Sequence, residues 1–276
     1  QGDATNEELQ FATNNAYRYT IPSDGSMFST TLGANNLRIG LNAGDGILNN
    51  GNQNVAIGDY AGTAITTGDS NTAVGYNALA SEDTGNGNTA IGHSALANAN
   101  NNASSINTAV GSTAGQSLTT GTYNTFIGGE AGLYATTADS STFVGVHAGL
   151  GITGTKLTGN DNTMVGRGAG RYLQGAAASN TGMGQGALYN NTTASANVAF
   201  GFQSGYTNTT GTTNVSVGYQ ALYTADAVSG NTAIGYGSLY ANTSGFSTAL
   251  GVSAGRVSTG SENVFIGAQA AYSQLG

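Results

Sequence analysis

A five-residue unit, Asn54-Val55-Ala56-Ile57-Gly58, returns as Asn71-Thr72-Ala73-Val74-Gly75, Asn88-Thr89-Ala90-Ile91-Gly92 and Asn107-Thr108-Ala109-Val110-Gly111, and onward to Asn263-Val264-Phe265-Ile266-Gly267. The closing glycines stand mostly 16 to 18 residues apart, with one step of 19 and one of 21, and a weaker copy around Gly40 brings the number to fourteen. A fixed period of this length is the mark of a solenoid, because one unit cannot bury its apolar face alone and stacking neighbours can. About 17 residues are too few for a helix, a strand and their connections. Each unit is therefore read as a short strand, a turn at the glycine, a second short strand, and a loop of Asn, Thr, Ser and Gly. The expected fold is all-β: a parallel β-solenoid of about fourteen coils with two short strands per coil, roughly 65 Å long at about 4.8 Å per coil.

Alternation along the pentad assigns two faces. The residue before each glycine is apolar (Ile57, Val74, Ile91, Val110, Ile127), and its neighbour two positions back is Thr or Val. That stripe is expected to form the core. The intervening residue is usually Ala but becomes Phe126, Phe143, Met164 and Phe265. A strand apolar on both faces needs cover on both, so these four residues are expected at an interface with another protomer. The pentad opens with Asn in twelve copies and with Ser141 and Ser247 in the other two. Stacking would bring Asn54, Asn71, Asn88, Asn107 and Asn124 into a column of hydrogen-bonded amides.

The repeats occupy residues 36–276, and residues 1–35 read as a cap or connector that contains Pro22 and a short helical turn at Asn6-Glu7-Glu8-Leu9. Low charge (7%) with 38% hydrophobic residues, 14 of them Tyr, argues for order rather than disorder. The net charge of −8 is spread without runs, which excludes nucleic acid and anionic membrane surfaces as expected partners. No apolar stretch approaches a membrane span. The last coil would expose unpaired strand edges, so either the natural chain continues or the next subunit covers them, and end-to-end self-association is expected.

The pentads resemble the head repeats of trimeric autotransporter adhesins, left-handed β-rolls whose strands carry Asn-Thr/Ser-Ala-Ile/Val-Gly; similar repeats occur in bacteriophage tail fibres. The resemblance covers about residues 36 to 275, and the loops between pentads are longer than in the commonest form. It implies a homotrimer of interlocked left-handed rolls with a surface-adhesive role, extracellular or on the cell surface, or, in the virion setting, a tail-fibre segment that recognises a host surface.

Sites are sparse. Tyr189, Tyr206, Tyr223, Tyr240 and Tyr272 each fall five residues after a pentad glycine, and the column is read as a stiffening stack, a lateral contact between fibres, or a surface that meets sugar rings face-on. His93 and His147, in coils that are not adjacent, read as incidental. Gly166-Arg167-Gly168-Ala169-Gly170 mimics a phosphate loop, but its glycines belong to the repeat and no helix follows. No cofactor, metal set or catalytic group emerges. The expected function is a non-enzymatic structural or adhesive fibre subunit that stacks head to tail, with a surface glycan or host-surface receptor as partner. A glycan-cleaving solenoid enzyme is the alternative of another class.

Overall fold

The structure, a computed structural model, describes residues 9–13, 16–21, 33, 35–101 and 105–274. Within the first 35 residues, Leu9–Thr13 and Ala16–Ile21 pair as an antiparallel two-stranded sheet. Pro22 and Asn6, Glu7 and Glu8 of the expected helical turn lie outside the described residues, and Leu9 opens a strand. The repeats form one 14-stranded parallel sheet that runs in chain order from Leu37–Ile39 to Val264–Ile266. Every pentad stacks on the next without slippage; Thr163-Met164-Val165, for example, pairs residue for residue with Thr181-Gly182-Met183. The chain is a parallel β-solenoid.

Each coil contributes one three-residue strand to this sheet rather than two comparable strands. The segment after the turn is assigned as strand only in the last coils, at Ala241–Asn242, Val257–Ser258 and Ser273–Gln274. Elsewhere it climbs by turns whose amides still bond the next coil, as in Gly62 N to Ala78 O (2.8 Å) and Leu79 N to Ala95 O (2.9 Å). The reason is local. Residues two and four positions after each pentad glycine sit at positive φ, for example His147 at 60° and Leu79 at 50°, and such a backbone cannot propagate a strand.

The pentad glycine makes the tight stacking possible. Its φ lies between 117° and 139° in every coil, outside the range of L-residues. A methyl group on Gly145 would also lie 2.7 Å from the carbonyl carbon of Gly166 in the next coil.

The two strand faces are the reverse of those expected. The middle residue points inward: Ala56, Ala73, Ala90, Phe126, Phe143 and Met164 are completely buried, and Phe265 nearly so. Phe126, Phe143, Met164 and Phe265 therefore fill the interior of the roll itself and are not surface contacts for another protomer. The aliphatic stripe expected as the core points outward, with Ile91, Ile127, Ile234 and Leu250 exposed. Alternation fixes that the two sets oppose each other, but volume decides which goes in. The lumen is narrow: at the strand position it takes Ala in most coils and a large group in only a few, and a continuous row of Ile and Val would overfill it.

Compensation within the lumen makes the same point. The residue four positions after the pentad glycine is Leu in several coils with a small strand residue (Ala73 with Leu79, Ala90 with Leu96, Ala233 with Leu239), although Ala56, Ala109, Ala199 and Ala249 are followed there by Gly62, Gly115, Gly205 and Gly255. It is never Leu where the strand residue is large: Gly132, Gly149 and Gly170 follow Phe126, Phe143 and Met164, and Ala271 follows Phe265. A Cβ on Gly149 would sit 2.5 Å from the Phe143 ring, and one on Gly170 2.6 Å from the Met164 sulfur. Phe126 and Phe143 stack at 5.2 Å and fill adjacent layers.

The Asn column is internal and buried. In most coils Oδ1 accepts the backbone N–H of the residue that opens the next pentad (Asn71 N to Asn54 Oδ1, 2.9 Å; Asn88 N to Asn71 Oδ1, 2.9 Å), while Nδ2 donates to its own coil's loop (Asn54 to Gly68 O, 2.8 Å; Asn71 to Gly85 O, 2.8 Å); Asn88 Nδ2 instead donates to Ser105 Oγ at 2.6 Å. Direct amide-to-amide bonds join only part of the column, as in Asn124 Nδ2 to Asn107 Oδ1 at 3.1 Å. The column thus ties strand to loop as well as coil to coil.

Phe143→Ala is expected to destabilise the protein by about 3–5 kcal/mol. Adding Gly149→Leu, a residue that Leu79 shows to be tolerated at this backbone position, should recover at least half of that loss, although Gly149→Leu alone is destabilising. Denaturant unfolding of the double-mutant cycle checks this, and purely additive effects would contradict shared lumen volume.

Candidate functional site

Tyr189, Tyr206, Tyr223 and Tyr240 form the expected column, stacked at 4.9, 5.2 and 5.1 Å with planes within 19° of parallel. Tyr172 begins the row edge-on to Tyr189 at 5.2 Å. Tyr272 does not continue the stack directly. The Arg256 guanidinium lies between, 4.4 Å from the Tyr240 centroid and 5.9 Å from that of Tyr272. Because the rings cover one another, their faces are closed to a ligand inside the row, and only edges and hydroxyls remain to be met. Burial, followed by a hydrogen bond with Tyr172, raises the Tyr189 hydroxyl above its ordinary pKa, and burial raises Tyr223, so both stay protonated near neutrality. A second aromatic row, which sequence reading missed, stands one residue after the glycine: Phe202, Tyr219 and Tyr236, at 5.1 and 5.2 Å.

Beside the tyrosines, a cleft of about 250 Å3 is lined by His147, Arg167, Arg171, Gln185, Gln203, Tyr189 and Tyr206, with Gly168 and Gly186 in its wall. Its origin lies in one row of the repeat. Two residues after the pentad glycine, successive coils carry Glu130, His147, Gly168, Gly186, Gln203 and Gln220. Two consecutive glycines therefore leave a gap with side chains on both sides. The Tyr189 and Tyr206 rings lie against the gap, because a Cβ on Gly168 would be 3.2 Å from Tyr189 Cε2 and one on Gly186 3.4 Å from Tyr206 Cε2. A further glycine in this row, Gly237, leaves no comparable space, since a Cβ there would lie 2.6 Å from Arg256 Nη1.

One wall of the cleft is a polar relay across successive coils. Arg171 Nη1 donates to His147 Nδ1 at 2.7 Å, which places the ring proton on Nε2, and Nε2 is 3.2 Å from Glu130 Oε2. The Arg171 Nε–H is buried without a hydrogen-bond partner. The guanidinium also lies about 6 Å from the Tyr172 and Tyr189 centroids. The sequence reading of His147 as incidental missed this arrangement. Its signal was available once the repeats were aligned on their glycines, which puts Glu130 and His147 in one row and Arg171 in the tyrosine row.

One buried carboxylate lies elsewhere. Glu82 is fully buried at an inward position that Ile65 and Leu118 occupy in other coils. It accepts N–H bonds from Gly85 (2.9 Å) and Asn101 (3.1 Å), as Asn208 Oδ1 does from Gly211 (2.9 Å). Desolvation outweighs these bonds and raises its pKa above the ordinary carboxylate value. Among the described residues, no group of three or more His, Cys, Asp or Glu could hold a metal ion.

No family model, curated protein or solved structure matches this chain.

The raised Glu82 pKa has a definite sign in stability. The folded state holds its proton more tightly than the unfolded chain, so this contribution is fully present below the unfolded value of about 4.3 and is lost as pH rises through the folded value. Melting profiles from pH 4 to 8 should show wild type falling relative to Glu82→Gln. Parallel profiles would mean that burial does not penalise this carboxylate.

Proposed function

We propose that the chain is a non-enzymatic structural and adhesive subunit of an extracellular fibre, in which like chains pack side by side as a homotrimer and stack end to end. The observation that carries this reading is the outward apolar stripe. Ile91, Ile127, Val198, Phe200, Ile234 and Leu250 are 37–48% exposed on a single sheet face, and a contiguous apolar band of that kind marks an interaction surface.

Its occupant is argued from spacing. The stripe repeats once per coil along a sheet of 14 strands, and a partner that follows it must present apolar groups at the same rise of about 4.8 Å. A second copy of this chain has that rise by construction. Three copies about a common axis would let each roll cover the others' stripes, in keeping with the adhesin-like pentads. A rod whose stability comes from neighbouring coils suits a spacer that holds an adhesive surface away from its anchor.

Sedimentation equilibrium should give the mass of three chains. The paired surface substitutions Ile127→Asp and Ile234→Asp should yield monomers that keep the β-rich circular dichroism spectrum, since neither side chain contributes to the lumen. A wild-type protein that is monomeric at micromolar concentration would overturn the assembly.

A further inference from the structure

We infer that the cleft between His147 and Gln203 is a binding site for a carboxylate-bearing sugar residue. Its charge is the first ground. In a chain of net charge −8 with only six Lys and Arg residues, two of the arginines converge on this cleft. Concentrated positive charge within an acidic protein favours an anion locally, and guanidinium groups match a carboxylate in a planar, two-point geometry.

The second ground is a donor without a partner. Arg171 is held by His147, which is held by Glu130, yet its Nε–H is buried and unsatisfied. A buried N–H left in that state costs free energy, which a small adjustment that let a bound carboxylate accept it would recover. The relay orients the guanidinium before any ligand arrives. Arg167, on the exposed rim, supplies a second cation without such restraint.

Shape and the remaining lining indicate a sugar rather than a small inorganic anion. The gap left by Gly168 and Gly186 spans two coils, about 10 Å along the axis, and the cleft of about 250 Å3 falls just below the range typical of drug-sized ligands. That is room for one pyranose ring. The Gln185 amide and the Tyr189 and Tyr206 hydroxyls provide donors and acceptors for ring hydroxyls, and the tyrosine edges provide an apolar floor. Every other coil with Gly in this row would have to repeat the arrangement for it to be a mere consequence of the fold, and Gly237 does not, because Arg256 fills its space.

The inference does not depend on the fibre reading; a monomer that binds the sugar would overturn the trimer and leave the site standing. The test is titration of the whole chain, followed by NMR shift changes, with glucuronate, galacturonate and sialic acid, against glucose, galactose and sodium acetate. At least one acidic sugar should bind saturably and at least tenfold tighter than both the neutral sugars and acetate. Gly186→Gln restores the side chain that the same row carries as Gln203 at φ 52°, so it should fill the cleft at the cost of a small fall in melting temperature and reduce affinity at least tenfold. If that variant proves unstable, Arg167→Gln, on the exposed rim, should weaken the acidic sugar at least fivefold and leave neutral sugars unaffected. Equal affinity for acetate would reduce the site to a simple anion contact, and equal affinity for glucose would remove the role of charge. Absence of saturable binding to all three acids, or wild-type binding by a folded Gly186→Gln protein, would overturn the site itself.

Discussion

Close approach of successive coils at the pentad glycine governs the rest of this molecule. With φ between 117° and 139° and the next coil's carbonyl pressed against the absent side chain, each turn is forced into the same place above the last. From that registration follow the unbroken parallel ladder, the Asn column that bonds the next strand and its own loop, and the aromatic stacks near 5 Å. None of these contacts is strong singly. A net hydrogen bond is worth about 1 kcal/mol, and a three-residue strand would not persist alone. Repetition makes them cooperative, because each coil is the template for its neighbour.

The narrow lumen turns packing into a nearly one-dimensional problem. In part of the rod, large and small groups trade places between the strand and the position four residues after the glycine, so Phe143 is matched by Gly149 and Ala73 by Leu79. Leu79 accepts a left-handed backbone at 50°, a conformation that costs about 1–2 kcal/mol for a residue with a side chain; filling the lumen offsets this. Glu82 is a carboxylate at a position that is hydrocarbon in some coils (Ile65, Leu118) and amide in others (Asn191, Asn208), and it takes the loop-capping role of Asn208.

Against so regular a background, departures from the repeat are where specific chemistry can reside. The columns of Asn, Gly and inward Ala recur in coil after coil and build the rod. The paired glycines Gly168 and Gly186 break one row, uncover two tyrosines, and leave Arg167 and Arg171 beside the gap. Recognition on a solenoid of this kind depends on interruption, since a perfectly periodic surface offers a ligand no unique place.

The sequence alone determined the solenoid, the position of the fourteen strands of the long parallel sheet, the Asn column and most of the tyrosine column, because residues at one period must superpose once coils stack. It also showed that the pentad has two apolar sets on opposite faces. Which set lies inside was decided by the tertiary structure: alternation is symmetric between faces, whereas the volume of the closed lumen admits Ala56 or a single Phe126 and rejects a row of Ile and Val. The cleft likewise depends on three dimensions, since Glu130, His147 and Arg171 belong to different coils, and their contact exists only where the chain has risen through those turns to bring them together.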